Sequence, residues 1–376
     1  MKILFTGGGS GGHFYPIIAV VEQIEKIVGE RKLLPPALYF MAPEMYDERA
    51  VYDHRIEFVN VPAGKMRIYF SPKNIFDILK TIFGVIKAVT KTFSIFPDVV
   101  FGKGGYASFP ALMAARILRI PIVIHESDSV PGRVNKWAGK FADKIAVSYP
   151  EAAQYFPKER VACTGQPIRG AITKRSREEA ENYLHLEKNV PVMVVLGGSL
   201  GAEKINDLIV DSLLTLLPNW QIIHQTGRSK LESILSRANV LVSDKELLKN
   251  RYHAFDYLPD SALAMSAGVA DLIISRAGST IFEIASWNIP SIIIPITESN
   301  GNHQTENAFN YAKSGAAIVI EEGNLTSHIF IEEVERLRNN KNLLQSMSAG
   351  AKSFFRTGAS HHIAGALIEI CLEHES

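Results

Sequence analysis

A histidine set directly behind a run of small residues is the first position in this chain that could do chemistry: Gly7-Gly8-Gly9-Ser10-Gly11-Gly12-His13. The run follows apolar Ile3-Leu4-Phe5 and precedes a helical pattern beginning near Pro16, so a strand would feed a glycine turn that opens a helix. Without side chains, such a turn lets backbone N–H groups close on a ligand, and the positive end of the helix favours an anion or an electron-rich sugar. Read as G-x-G-x-x-G, the run would suit a dinucleotide, but that use needs an acid closing the second strand. The second strand expected here ends Met41-Ala42-Pro43, with Glu44 only beyond the proline. The His13 imidazole, of ordinary pKa about 6.5, suits proton transfer near neutrality. His125 and Glu126, followed by Ser127-Asp128, supply competing bases.

The second half carries groups suited to binding. Gly197-Gly198-Ser199-Leu200-Gly201-Ala202 leads into a helix from Glu203, a cradle for a diphosphate. The same residues match G-x-S-x-G, the nucleophile elbow of serine hydrolases, with Asp271 and His303 available downstream. Ser275-Arg276-Ala277-Gly278-Ser279-Thr280 starts another helix, so Gly278 and Ser279 can offer N–H groups to phosphate oxygens. Glu283, one turn in, can accept both hydroxyls of a ribose. Pro295-Ile296-Thr297-Glu298 and Asn302 to Asn307 complete the cluster, where Gln304 has both a donor and an acceptor for sugar hydroxyls or an amide. No D-x-D occurs, so neither a metal held by paired aspartates nor any cofactor is expected.

Rigid elements must aim these groups, and the sequence alternates between strand and helix patterns. Strands are expected at 3–6, 38–41, 57–61, 98–101, 122–125 and 144–147, with helices at 16–28, 72–92, 108–118 and 133–141. After Gly165-Gln166-Pro167-Ile168-Arg169 and a charged surface helix within 174–188, a second series runs through strands at 191–196, 221–224, 253–257, 271–275, 291–295 and 316–320. A helical tail follows from Ile329 to His374. Such alternation implies α/β architecture: two doubly wound parallel sheets, their ligands at the carboxyl ends of the strands, facing a cleft. The expected domains are 1–164 and 165–376, the latter including the helical tail.

At 376 residues, 47% hydrophobic, the chain is long for one core. A net charge of +1 gives no global field toward nucleic acid, and none is expected as a partner. Two cysteines without metal-ligand spacing suit a reducing compartment, and no apolar run of about 18 residues occurs, so a cytoplasmic, non-spanning protein is expected. The helix at 72–92 carries the one local field: six basic residues and a single acid, Asp77, lie between Gly64 and Phe96. At about 100° per residue, Ile75, Ile78, Leu79, Ile82, Val85, Ile86 and Val89 share what is read as the buried face, opposite Lys73, Lys80, Lys87 and Lys91. Phe76 and Phe83 flank the lysines, a pattern suited to an anionic membrane surface.

The motifs named so far, with the strand-end loop Gly102-Lys103-Gly104-Gly105-Tyr106, Pro131-Gly132 and Asn135, occur in the order of one family. From its first strand to about Ile320 the chain resembles the bacterial peptidoglycan N-acetylglucosaminyltransferases of the GT-B fold, glycosyltransferase family 28. The resemblance implies UDP-N-acetylglucosamine bound mainly by the C-terminal half and lipid I approaching the N-terminal half. It implies Ser10, Gly11 and Gly12 against the donor, Arg169 and Ser199 at its diphosphate, Leu258 offering backbone contacts to uracil, Glu283 on the ribose and Gln304 on the N-acetylglucosamine. It also gives the lysine helix a reason, at the cytoplasmic face of the cell membrane where lipid I resides. The family more often has Thr at Ser10 and often has Asn at Asp128; a carboxylate at this sugar-side position accepts hydrogen bonds but does not donate them.

The expected reaction is an inverting transfer, with His13 favoured as base over Glu126 and His125, and leaving-group charge met by helix N-termini and Arg169. Other readings of the motifs are a GT-B transferase acting on another lipid-linked sugar, a UDP-N-acetylglucosamine 2-epimerase, a serine hydrolase using Ser199, and a non-catalytic nucleotide-sugar sensor.

Overall fold

The computed structural model describes residues 1–65, 73–198, 202–297 and 302–375. Ser199 and Glu298 lie outside the described residues, as do the side chains of Lys73 and Ile75. The chain forms two units, Met1–Gly170 with Arg356–Ser376, and Ala171–Phe355.

Apolar runs such as Ile3-Leu4-Phe5 and Val99-Val100-Phe101 are buried on both faces, the pattern of a parallel sheet covered by helices. The first unit runs β1 (Lys2–Thr6), α1 (Gly11–Glu30), β2 (Ala37–Ala42), α2 (Glu48–Asp53), β3 (Glu57–Asn60), α3 (Lys73–Ile95) and β4 (Val99–Gly102). It continues with α4 (Phe109–Leu118), β5 (Ile122–Glu126), α5 (Arg133–Ala138), β6 (Lys144–Val147) and β7 (Val161–Cys163). All pairs are parallel, in the order β3-β2-β1-β4-β5-β6-β7. The second unit runs α6 (Arg177–Leu184), β8 (Val192–Leu196), α7 (Glu203–Leu216), β9 (Gln221–Gln225), α8 (Leu231–Val242), α9 (Glu246–Lys249) and β10 (Tyr252–Phe255). Then come α10 (Asp260–Val269), β11 (Ala270–Ser275), α11 (Thr280–Trp287), β12 (Ser291–Ile293), α12 (His303–Ala312), β13 (Ala317–Val319), α13 (Ser327–Arg338) and α14 (Lys341–Phe354). Its parallel sheet has the order β10-β9-β8-β11-β12-β13.

Four features depart from the sequence reading. The tail is three helices: Asn340 ends one run by capping the next through Leu343 N, and Gly358, at φ 82°, turns the chain before α15 (Ala359–Glu375). α15 belongs to the first unit, contrary to the expected 165–376 domain, because Ile363, Ala364, Leu367, Ile368 and Cys371 form one apolar stripe in the core of α1. α2 and β7 were not expected; α2 is started by Asp47, which accepts from Ala50 N at 3.0 Å, and β7 is a three-residue edge strand.

The fourth departure is α3, whose faces are reversed. Gly84, Ala88 and Thr92 are its buried stripe, while Ile78, Leu79, Ile82 and Ile86, read as core, are exposed. Backbone proximity decides this: a Cβ at Gly84 would meet the Pro62 carbonyl oxygen at 1.9 Å, so only small residues fit on that side. Phe76 (73% exposed), Phe83 (62%) and Phe93 extend the outward apolar stripe, and Lys80, Lys87 and Lys91 border it. No described helix is long and apolar enough to cross a membrane.

Candidate functional site

Each sheet reverses its strand order once, between β1 and β4 in the first unit and between β8 and β11 in the second. Ligands of open parallel sheets bind beyond the carboxyl ends of the strands at such switch points, and the glycine turns lie there.

In the first unit, α1 starts at Gly11 rather than near Pro16, which puts His13 in its first turn. Ser10 Oγ lies 2.9 Å from His13 Nδ1, so the ring is held by the residue that precedes the helix. The β4 loop closes over this turn. A Cβ on Gly105, whose φ is 78°, would meet the Gly8 carbonyl oxygen at 3.0 Å and His13 Nε2 at 3.4 Å. A Cβ on Gly7 would meet Lys103 Cβ at 2.9 Å, so both glycines are required by close approach.

The other two candidate bases point inward. His125 has no exposed surface, its Nε2 donates to the Gly165 carbonyl oxygen at 3.0 Å, and burial followed by the Lys103 charge holds its pKa well below the ordinary imidazole range. Glu126, 4% exposed, accepts from Asp128 N at 2.9 Å and from Gly132 N and Asn135 Nδ2 at 3.0 Å each. Burial, then the Asp128 charge, push its pKa up against the pull of Asp128 N–H, Lys103 and Asn135. These bonds make Glu126 the clasp of the 127–132 loop, with Asn135 Nδ2 also donating to the His125 carbonyl oxygen at 3.0 Å. Asp128 sits half-buried on that loop. Arg169 lies in the first unit, not beyond its boundary, with its guanidinium over the Tyr15 ring at 3.5 Å.

In the second unit Gln225 gathers the ends of β8, β9 and β10: its carbonyl accepts from Gly197 N at 3.4 Å and its Oε1 from Leu258 N at 3.3 Å. Leu258 is therefore a buried side chain with its N–H already engaged. Gly278, with nothing within 4 Å of an added Cβ, and Ser279 lead into α11, with Thr280 as its first residue and Glu283 in its first turn. Gln304 Oε1 accepts from Ile296 N at 3.2 Å, and buried Asn307 donates to the Ala277 carbonyl oxygen at 3.1 Å, so α12 fixes both neighbouring loops. Arg276 reaches the Ile294 carbonyl oxygen at 3.1 Å and Glu322 at 2.7 Å beneath them.

The hydrolase elbow loses its acid. Asp271 stands at the amino end of β11, bound to Arg177 at 2.8 and 3.1 Å and accepting from Val192 N at 2.8 Å, whereas the Gly197 turn leaves the carboxyl end of parallel β8. Lys103, Gln166, Arg276 and Asn307 stand inside motifs of the sequence reading but were given no role of their own there; the signal for Lys103 was a long cation inside a glycine loop, where only small residues were needed. No group of three or more His, Cys, Asp or Glu that could hold a metal occurs among the described residues.

The model of the glycosyltransferase family 28 N-terminal domain matches residues 3–147, and that of the C-terminal domain residues 192–363. The UDP-N-acetylglucosamine--N-acetylmuramyl-(pentapeptide) pyrophosphoryl-undecaprenol N-acetylglucosamine transferase 3 of Bacillus thuringiensis (strain Al Hakam) is 35% identical over 341 residues, 90% of this chain and 92% of its own. The correspondingly named transferase of Shouchella clausii (strain KSM-K16) is 35% identical over 352 residues, 93% and 94% of the two chains. Among solved structures, Acinetobacter baumannii MurG superposes with a TM-score of 0.71 at 23% identity, covering 98% of this chain and 99% of that one. A putative UDP-N-acetylglucosamine 2-epimerase from Listeria monocytogenes superposes with 0.72 at 13% identity, covering 99% and 97%. These two likenesses carry the GT-B fold alone, because a transferase and an epimerase share it equally.

Proposed function

The chain belongs to glycosyltransferase family 28, and from that premise we propose that it moves N-acetylglucosamine from UDP-N-acetylglucosamine to the C4 hydroxyl of the N-acetylmuramoyl unit of lipid I, giving lipid II. The observation that carries this reading is identity of 35% to transferases named for that reaction, sustained over 90% of the chain. The epimerase likeness, at 13%, is one of backbone only.

In the proposed reaction the acceptor oxygen attacks C1 of N-acetylglucosamine as the bond from C1 to the UDP oxygen breaks, with inversion. His13 takes the hydroxyl proton at Nε2, with Nδ1 directed by Ser10 Oγ. His125 and Glu126 serve as supports for the loop that carries Asp128, in keeping with their burial and bonds. Ser10, Gly11, Gly12 and Asp128 contribute contacts to sugar. Gly278, Ser279 and Thr280 present the N-terminus of α11 to the diphosphate, Arg169 supplies a cation, Glu283 holds the ribose, Gln304 reads the N-acetylglucosamine, and Leu258 meets uracil through its backbone.

A lipid-linked acceptor also accounts for α3. Phe76, Leu79, Ile82, Phe83, Ile86 and Phe93 would enter the anionic cytoplasmic leaflet, with Lys80 and Lys87 at head-group level, each contributing about 1 kcal/mol. This retains the lysine helix as the membrane contact, but with its apolar stripe turned outward.

The test is radiolabel transfer from UDP-N-acetylglucosamine to a lipid I analogue in the presence of EDTA, with wild type compared against His13→Ala and Glu283→Ala. Transfer that persists in EDTA and falls strongly in both variants supports the reading. A wild type that consumes donor yet never labels lipid I overturns the acceptor assignment, and appearance of an epimerised nucleotide sugar would put the epimerase in its place.

A further inference from the structure

Glu322 follows β13 on the short turn Glu322–Asn324, and its side chain is 8% exposed. A carboxylate this deep is tolerated only where cations and hydrogen bonds replace water. Its two oxygens are divided between two cations. Oε1 accepts from Arg276 Nη2 at 2.7 Å, and Oε2 stands 3.4 Å from Lys204 Nζ. The cations belong to different segments: Arg276 is the first residue after β11 and leads into Gly278-Ser279, whereas Lys204 lies in the first turn of α7, the helix that follows β8. Arg276 also reaches a third, since its Nη1 donates to the Ile294 carbonyl oxygen just beyond β12 at 3.1 Å. Ile296 N, in that same loop, donates to Gln304 Oε1 at 3.2 Å. β8, β11 and β12 are adjacent in the second sheet, the first two at its switch point. One carboxylate therefore ties together the segments that leave three neighbouring strands at their carboxyl ends.

The two ties are unequal. Lys204 is 62% exposed, and an ion pair with one end in water contributes little. Arg276 is 14% exposed, and its Nε has no acceptor among the described residues. Without the Glu322 charge the guanidinium keeps the Ile294 carbonyl oxygen but loses its counter-charge, and a buried cation left in that state shifts toward water. Such a shift displaces the loop two residues before Gly278 and the loop that Gln304 grips.

We propose that Glu322 is a positioning residue: through Arg276 it holds the loops after β11 and β12 at the spacing that receives the diphosphate of a nucleotide. The diphosphate role rests on the transferase reading above; the tie between the loops does not.

The experiment compares wild type, Glu322→Gln, Arg276→Met and the double variant as full-length chains. It reads the dissociation constants of UDP and of uridine by calorimetry, KM for UDP-N-acetylglucosamine and for a lipid I analogue, and the free energy of unfolding in urea. Glu322→Gln is expected to weaken UDP about tenfold and to raise the donor KM in step, while uridine and the lipid I analogue change less than about twofold. In the Arg276→Met background the same substitution is expected to weaken UDP no further, and the two unfolding losses to fall short of additive. Should Glu322→Gln prove insoluble, Glu322→Asp keeps the charge and shortens the reach, and is expected to weaken UDP at least about threefold with uridine again unchanged. Equal weakening of UDP and uridine reduces Glu322 to a structural residue and overturns the proposal. Unchanged or tighter UDP binding overturns it as well, as does an effect of Glu322→Gln that persists in full without Arg276. A wild type that binds neither ligand defeats the transferase reading and the diphosphate role with it, while coupling in the unfolding energies still decides the tie.

Discussion

Lowering the pH from 7 to 5 should cost the second unit about 2 kcal/mol of stability through His224 alone. This imidazole of β9 is fully buried, with Nε2 at 3.0 Å from Asn206 Oδ1 and Nδ1 at 2.8 Å from the Tyr252 hydroxyl. Asn206 Nδ2 donates to the Thr226 carbonyl oxygen at 2.9 Å, so Oδ1 faces the ring as acceptor, Nε2 carries the proton and the tyrosine hydroxyl donates to Nδ1. The neutral ring is satisfied, and burial lowers its pKa from 6.5 to about 3. The unfolded chain takes up its proton near 6.5 and the fold only near 3. Between those values the unfolded state binds more protons, so stability is lost as pH falls. From pH 7 to 5 this amounts to about 1.4 decades in the folding equilibrium, at about 1.4 kcal/mol per decade. Urea unfolding in a Trp137→Phe background isolates the unit, because the other two tryptophans, Trp220 and Trp287, are both buried there. His253 also titrates low through burial, so the informative quantity is the difference from His224→Gln. The variant should lose about 2 kcal/mol less between the two pH values. Equal losses would refute the reasoning.

Glu126→Gln would aim an amide donor at one or more of three existing donors, and should cost the first unit about 2 to 4 kcal/mol in urea unfolding followed by Trp137. Phe76→Ser/Phe83→Ser should weaken sedimentation with phosphatidylglycerol vesicles roughly ten- to a hundredfold while leaving circular dichroism unchanged. Gly84→Leu places a side chain where the Pro62 carbonyl oxygen already stands, and should lower the thermal midpoint through a loss of about 2 kcal/mol or more.

The parallel sheets were legible because their strands are short continuous apolar runs separated by helical spacing, and because each glycine turn follows a strand. What periodicity could not supply was depth. In α3 the apolar stripe is the conspicuous one, and the face that packs is Gly84, Ala88 and Thr92, selected by backbone proximity that no hydropathy pattern encodes. The same limit hid the role of Lys103, whose partner Ser127 lies 24 residues further along the chain. His125 and Glu126 looked like bases because titratable residues in a rim loop are candidates; only burial and three N–H donors distinguish a clasp from a catalyst. α15 could be identified as a helix from sequence, but its unit could not, since an apolar stripe does not say which sheet it covers.

That last helix fixes an order of events during synthesis. The core around α1 contains Ile17, Val21 and Ile24 together with Ile363, Leu367 and Ile368, so helices far apart in sequence share one apolar interior. The unit spanning Ala171–Phe355 is complete in sequence before α15 is made, whereas the first unit is not. On the ribosome the second unit can close first, while the first waits with an uncovered α1 until α15 has been made. A nascent chain whose residues as far as Phe355 have emerged would hold one finished unit and one awaiting α15, a point at which a chaperone that shields apolar surface would bind.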